Sequence, residues 1–234
     1  MATMETINTN IVPLTRIQKL IGRLMHQSKQ TKANGYMTMQ ADLTELTAMR
    51  REYCRKARVR ATTNDFFILA MARAVKKYPL LAATLDETRD NLVVSGAVGI
   101  GFAVAAPQGL VVPVLHDMGS KNLIETAAES EMLLAKARSN KLTPDDFDGA
   151  NVVLTGLGMF GVHQFYAIAP PSATAIVSIG MIEDAIVLKD DEMRVRKMMD
   201  VSLAYDGQII DEFYAAGFLR CIVDQLEDPW VLTR

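Results

Sequence analysis

The sequence predicts an α+β domain built on a mixed sheet. Three observations lead there: strands late in the chain are paired in sequence, helical segments are interspersed with strands without a regular βαβ alternation, and half of the 234 residues are hydrophobic, enough for one sizeable core. No internal repeat, low-complexity stretch or internal linker divides it. The expected partition is a flexible N-terminal tail, residues 1–10, followed by one domain, residues 11–234.

Leu14, Ile17, Leu20, Ile21, Leu24 and Met25 recur at helical spacing after Pro13, which suits a first turn, with Arg16, Lys19 and Arg23 on other faces. From Gly35 to Asp42, Tyr36, Thr38 and Gln40 alternate with Met37, Met39 and Ala41, which reads as a strand; Thr44 then caps a charged helix running to Lys56. A second, more buried helix covers Asn64 to Tyr78 and stops at Pro79. Val98 to Ala106 and Leu110 to Leu115 are apolar runs split by Pro107-Gln-Gly109, a hairpin signature. Leu123, Ile124, Ala127 and Leu134 line a helix ending near Arg138, and Asn151 to Thr155 is a strand entering a glycine-rich turn. Two long strands, Ala173 to Leu188 and Met193 to Tyr205, join across Lys189-Asp-Asp-Glu192. The last helix uses Tyr214, Gly217, Phe218, Cys221 and Ile222 as its apolar face.

A net charge of −2 without any basic run gives no electrostatic reason to expect nucleic acid or an anionic membrane as partner. Cys54 and Cys221 lack metal-ligand or redox spacing and read as reduced thiols, and no metal site is expected. The start is polar, unlike a signal peptide, and no stretch of about twenty residues is apolar enough to span a bilayer, so a cytoplasmic protein is expected.

Three stretches can carry chemistry. In Leu154-Thr-Gly-Leu-Gly-Met-Phe-Gly161 a strand ends in a hydroxyl residue followed by glycines that let backbone approach a ligand or a neighbouring chain. Taken alone, such turns are commonplace, and this one lacks the spacing of a phosphate loop or dinucleotide fingerprint. Ala169-Pro-Pro-Ser172 is a rigid corner, and in Tyr205-Asp-Gly-Gln-Ile-Ile-Asp-Glu212 the plain role of Asp211 is to cap the last helix.

Together with Val12-Pro-Leu-Thr-Arg-Ile-Gln-Lys-Leu-Ile-Gly-Arg23, Thr63-Asn-Asp-Phe-Phe-Ile-Leu-Ala70 and the run from Gly99 to Val114, these stretches resemble the catalytic domain of the 2-oxo acid dehydrogenase dihydrolipoyl acyltransferases over nearly the whole chain. The resemblance implies a chloramphenicol acetyltransferase-like two-layer sandwich, forming homotrimers with active sites between subunits. Trimers of that family join into cubes or dodecahedra, and the Pro229-Trp-Val-Leu-Thr-Arg234 tail resembles the end involved. It also implies CoA or acyl-CoA as a substrate, with no cofactor bound covalently in this chain. The acceptor is then a lipoyl thiol, a carrier-protein-bound group or a small molecule.

Carried over, the resemblance makes Thr155 the oxyanion donor and places Gly156, Gly158, Met159, Phe160, Pro170 and Pro171 around CoA or substrate. The family's closing signature of aspartate-histidine-arginine, two aliphatics, aspartate and glycine falls on Asp206 to Glu212. Gly207 therefore stands where the general-base histidine is expected, and Asp211 on the signature's second aspartate, a catalytic candidate that can orient a water or an acceptor but is a feeble base, and more plainly a structural partner for Arg16, Lys19 or Arg23. Losing a positioned base costs about 10²–10⁴-fold in rate. Of His26, His116 and His163, His163 is the best-placed substitute, just beyond the glycine-rich loop. Three explanations stand: a noncatalytic scaffold, an acyltransferase with another base or acceptor, or an introduced substitution. No lipoyl or subunit-binding segment is recognisable, so an excised core or a free-standing relative is expected.

Overall fold

The computed structural model describes residues 12–107, 109–189 and 192–234. The expected tail, residues 1–10, and residues 190–191 of the expected late turn lie outside the described residues. In chain order the elements are α1 (Arg16–Thr31), β1 (Asn34–Asp42), α2 (Thr44–Ala57), α3 (Thr63–Lys77), β2 (Ala83–Leu85), β3 (Leu92–Val94), β4 (Ile100–Phe102) and β5 (Val104–Ala106). Then come β6 (Gly109–Val111), β7 (Val114–Leu115), α4 (Leu123–Arg138), β8 (Val152–Gly156), β9 (Ala175–Ile179), β10 (Glu183–Lys189), β11 (Glu192–Asp206) and α5 (Glu212–Glu227).

The main sheet runs β1-β11-β9-β8-β4-β7, with β10 also paired to β11. β8 is parallel to both neighbours and the remaining pairs are antiparallel, so the sheet is mixed, as expected. Its two faces follow from strand alternation. One face, with Leu154, Val177, Val201 and Leu203, packs on α3 and α5 through Phe66, Phe67, Phe218 and Ile222, all completely or almost completely buried. Each such large side chain contributes about 1.5–3 kcal/mol relative to exposure. The other face, with Val153, Ile176 and Ala204, is covered by coil contributing Ala167, Ala169 and Ala173.

Several boundaries differ from expectation for local reasons. α1 begins at Arg16, not near Pro13, because Thr15 and Gln18 form a reciprocal capping box. Thr44 does not cap α2: it is the first helical residue, and its hydroxyl donates to Asp42 and accepts from the Lys197 amide. The expected hairpin forms in a single antiparallel register, β5 with β6 and then β4 with β7, interrupted only between the two pairs; residue 108, at its tip, lies outside the described residues. The expected strand from Ala173 to Leu188 splits at Gly180, where a Cβ would lie 1.7 Å from the His163 carbonyl oxygen. That close crossing ends β9, and β10 then diverges to pair only with the far half of β11. Among the described residues, no helix is long and apolar enough to cross a membrane.

Candidate functional site

Thr155 is the last half-buried residue of β8 before exposed Gly156. On one side β4 ends at Phe102, opposite Leu154, while on the other β9 continues, with Ser178 opposite Thr155. The hydroxyl therefore sits where the sheet opens. Gly158 to Phe160 form one 3₁₀ turn closed by Gly161 at φ +78°, a left-handed conformation that favours glycine. A Cβ at Gly158 would lie 2.4 Å from the Gly180 carbonyl oxygen, so glycine lets two backbones touch here. Met159 and Phe160 are consequently turned outward, 86% and 75% exposed. His163 is exposed too, with Nδ1 3.3 Å from a Glu183 carboxylate oxygen.

Gly207, Asp211, Pro170 and Pro171 form a separate group. β11 ends at Asp206, whose carbonyl accepts from the Ile209 and Ile210 amides, and the Gly207 amide donates to the Ala33 carbonyl at 2.8 Å. A Cβ on Gly207 would lie 2.9 Å from that same oxygen, closer than a real Cβ tolerates. Asp211 does cap α5, accepting from the Tyr214 amide at 2.8 Å. Among the described residues it pairs with none of Arg16, Lys19 and Arg23. The aspartate that meets a cation is instead Asp206, buried near Lys32. The Lys32 amine donates to the Pro170 carbonyl at 2.6 Å and to the Ala173 carbonyl. Burial pulls its pKa down to about 8, against the opposing pull of Asp206.

Lys32, Asp206, Arg89, Thr84 and Pro171 line a cleft of about 150 Å³. A wider one of about 460 Å³ runs past His116, Asp117, Asp148 and Asn151. Neither cleft contains Thr155 or Gly207. The register explains why these two are apart: Thr155 is level with Ser178 and Ser202, and Gly207 lies five residues beyond Ser202. At strand rise that is roughly 17 Å along the sheet. Pro170 and Pro171, expected with the glycine-rich loop around CoA or substrate, lie at the Gly207 end of this chain. Sequence reasoning missed Lys32 altogether, because a lone lysine after an amphipathic helix reads as solvated. It also missed that Asp206, rather than Asp211, is the buried carboxylate.

A mixed sheet with helices on one face and a coil strap on the other defines the chloramphenicol acetyltransferase-like class. Chloramphenicol acetyltransferase itself superimposes with a TM-score of 0.53 at 12% identity, over 87% of this chain and 94% of that one, a likeness of fold alone. The chain belongs to the family described as 2-oxoacid dehydrogenases acyltransferase (catalytic domain), whose profile matches residues 7–234. It is 32% identical to the dihydrolipoyllysine-residue acetyltransferase component of the Rickettsia felis pyruvate dehydrogenase complex, over 94% of this chain and 54% of that protein. It is also 32% identical to the succinyltransferase component of the Haemophilus influenzae 2-oxoglutarate dehydrogenase complex, over 93% and 54%. The chain thus spans about half the length of these curated relatives. The solved Azotobacter vinelandii dihydrolipoamide acetyltransferase matches with a TM-score of 0.91 at 30% identity, covering 99% of each chain. Work on that enzyme concerned the catalytic roles of a serine, a histidine 52 positions later and an asparagine four beyond it.

Proposed function

We propose that the chain is the acyl-transferring core of a CoA-dependent acyltransferase, moving a short acyl group, acetyl above all, between CoA and a thiol or hydroxyl acceptor. One observation carries the reading: Thr155, Gly207 and Asp211 have the same separations, 52 and four positions, as the Azotobacter serine, histidine and asparagine. In this reading the acceptor attacks the thioester carbon and loses its S–H or O–H proton, Thr155 donates a hydrogen bond to the oxyanion, and collapse breaks the C–S bond to release CoA, whose thiolate takes up a proton in place of the one the acceptor lost. A preplaced donor is worth most where charge develops. Gly207 has no atom to take the acceptor's proton, so transfer is slowed unless another base serves. His163, on the Thr155 side and beside Glu183, is the nearest imidazole to the glycine-rich loop in sequence. Met159 and Phe160 supply exposed apolar surface for CoA or substrate beside Gly156 and Gly158.

Because Thr155 and Gly207 lie at opposite ends of one sheet, a complete site needs two copies, and the proposed working form is a homotrimer with sites between subunits. Light scattering at the mass of three chains supports it; a monomer under assay conditions refutes it. Calorimetric titration with acetyl-CoA, paired with transfer to dihydrolipoamide, tests the chemistry. Binding with turnover supports the enzyme. The absent proton acceptor at Gly207 also favours a second reading, a noncatalytic core that keeps trimer and channel, and neither binding nor turnover selects that one.

A further inference from the structure

Lys32 brings a primary amine to the Gly207 end of the sheet, and the proposed transfer reaction does not use it. Its two hydrogen bonds go to the Pro170 and Ala173 carbonyls. Those acceptors are fixed by their own surroundings. The Ala173 amide donates to the Pro170 carbonyl at 3.1 Å, closing a turn that Pro170 and Pro171 stiffen. Ser28, buried in α1, donates to the Ala169 carbonyl at 2.6 Å, and Thr174 Oγ1 donates to the Ala83 carbonyl at 2.6 Å, so the turn is pinned on both sides.

An ammonium has three N–H groups, whereas a neutral amine has two and a lone pair. Two carbonyls therefore satisfy the neutral form completely, while the ammonium keeps a third N–H with no acceptor within bonding distance among the described residues. In the neutral form the direction left over at Nζ holds the lone pair. Lys32 borders the cleft of about 150 Å³, which has room for several water-sized groups and hence for a two-carbon acyl group. Burial brings the amine to a pKa of about 8 against the pull of Asp206, so about half the molecules carry a free amine at pH 8. Asp206 and Arg89 are the other ionisable groups lining the cleft among the described residues. Arg89 is exposed, and Nη2 donates to Gln208 Oε1 and the Thr31 carbonyl. Its Nε and Nη1 have no partner among the described residues, and free guanidinium donors suit the phosphates of CoA.

We propose that Lys32 is a self-acylation site, its amine taking the acyl group of an acyl-CoA whose thioester enters this cleft. The lone pair attacks the thioester carbon and a C–N bond forms. The C–S bond breaks, and the proton that the nitrogen sheds goes to the departing CoA thiolate. The products are an N-acyl-lysine and CoA, with no further reactant. The proposal rests on the proposed function for its acyl-CoA, but the step needs neither Thr155 nor a base at position 207. The product amide keeps a single N–H, so one of the two carbonyls loses its donor, and the cation beside buried Asp206 is gone. Acylation is thereby felt at the turn holding Gly207, which Asp206 begins.

The test incubates the full chain with acetyl-CoA from pH 6.5 to 9.5 and reads the occupancy of each lysine by mass spectrometry after digestion. Acetylation of Lys32 rises by about tenfold per pH unit below pH 8 and levels off above it, while solvated lysines go on rising past pH 9. An unmodified Lys32, or one that keeps rising with the others past pH 9, overturns the proposal. Thr84→Phe fills the cleft from its edge, stops acetylation at Lys32 and leaves the solvated lysines unchanged. Undiminished acetylation in that variant, shown by its melting curve to be folded, also overturns the proposal; Thr84→Ile serves should the larger residue not be tolerated. A chain that acetylates Lys32 yet transfers nothing to dihydrolipoamide defeats the acyltransferase reading alone. One that transfers acetyl with Lys32 untouched defeats the self-acylation alone.

Discussion

Gly207→His, measured against Gly207→Ala, separates a missing base from a remodelled site. The Gly207 amide donates to the Ala33 carbonyl at 2.8 Å, and any Cβ added there would lie 2.9 Å from the same oxygen. The loop must give by a few tenths of an ångström in both variants, because the clash arises at Cβ and not in the ring. Such overpacking costs about 1–3 kcal/mol. At roughly 2–4 °C per kcal/mol for a chain of this length, both variants melt about 2–12 °C below wild type. Only the histidine variant gains a proton acceptor, so its acetyl transfer to dihydrolipoamide rises by about 10²–10⁴-fold over the alanine variant. Coupled assays of CoA release at matched folded fractions give the ratio. Equal rates in two folded variants would show that position 207 does not face the reacting atoms. An alanine variant melting with wild type would show instead that the close approach to Ala33 is not a constraint.

Thr155→Val removes the hydroxyl while keeping the shape, and should lower kcat by about 10²–10³-fold with acetyl-CoA binding intact; lost binding would mean the residue shapes the pocket instead. Asp211→Ala deletes the α5 cap and should cost about 1 kcal/mol in urea unfolding, because the Tyr214 amide loses its acceptor. Lys32 predicts a pH effect. Its folded pKa, about 8, lies below the ordinary lysine value of 10.5, so between these the unfolded chain holds a proton that the folded chain has released. Its contribution to stability therefore rises with pH across that window and is least below pH 8. Unfolding midpoints of wild type and Lys32→Met should diverge in wild type's favour from pH 8 to 10, and parallel curves would contradict the assignment.

The mixed sheet, the five helices and the capping role of Asp211 were legible because each leaves a local pattern: period, turn residues or a cap. Boundaries were legible only where the competing partner was also local. Thr44 looked like a cap from its neighbours, and only Lys197, far along the chain, reveals why its hydroxyl is used elsewhere. The break at Gly180 was hidden for the same reason, since the obstacle is the His163 backbone crossing above it. At the candidate site, the glycine-rich loop and the turn after β11 were recognisable as stretches, but their separation is a matter of sheet register. Lys32 escaped notice because burial, not its neighbours in sequence, depresses its amine.

β11 carries β1 along one edge, β9 and β10 successively along the other, and at its end the turn holding Gly207. With Thr155 at the far end of the neighbouring strands, the proposed function makes each polypeptide the bearer of two half-sites, one at each end of the sheet. Lesions at the two ends should then complement each other: co-expressed chains, one bearing Thr155→Val and the other Gly207→Val, would reassemble some undamaged pairings that neither homogeneous population possesses.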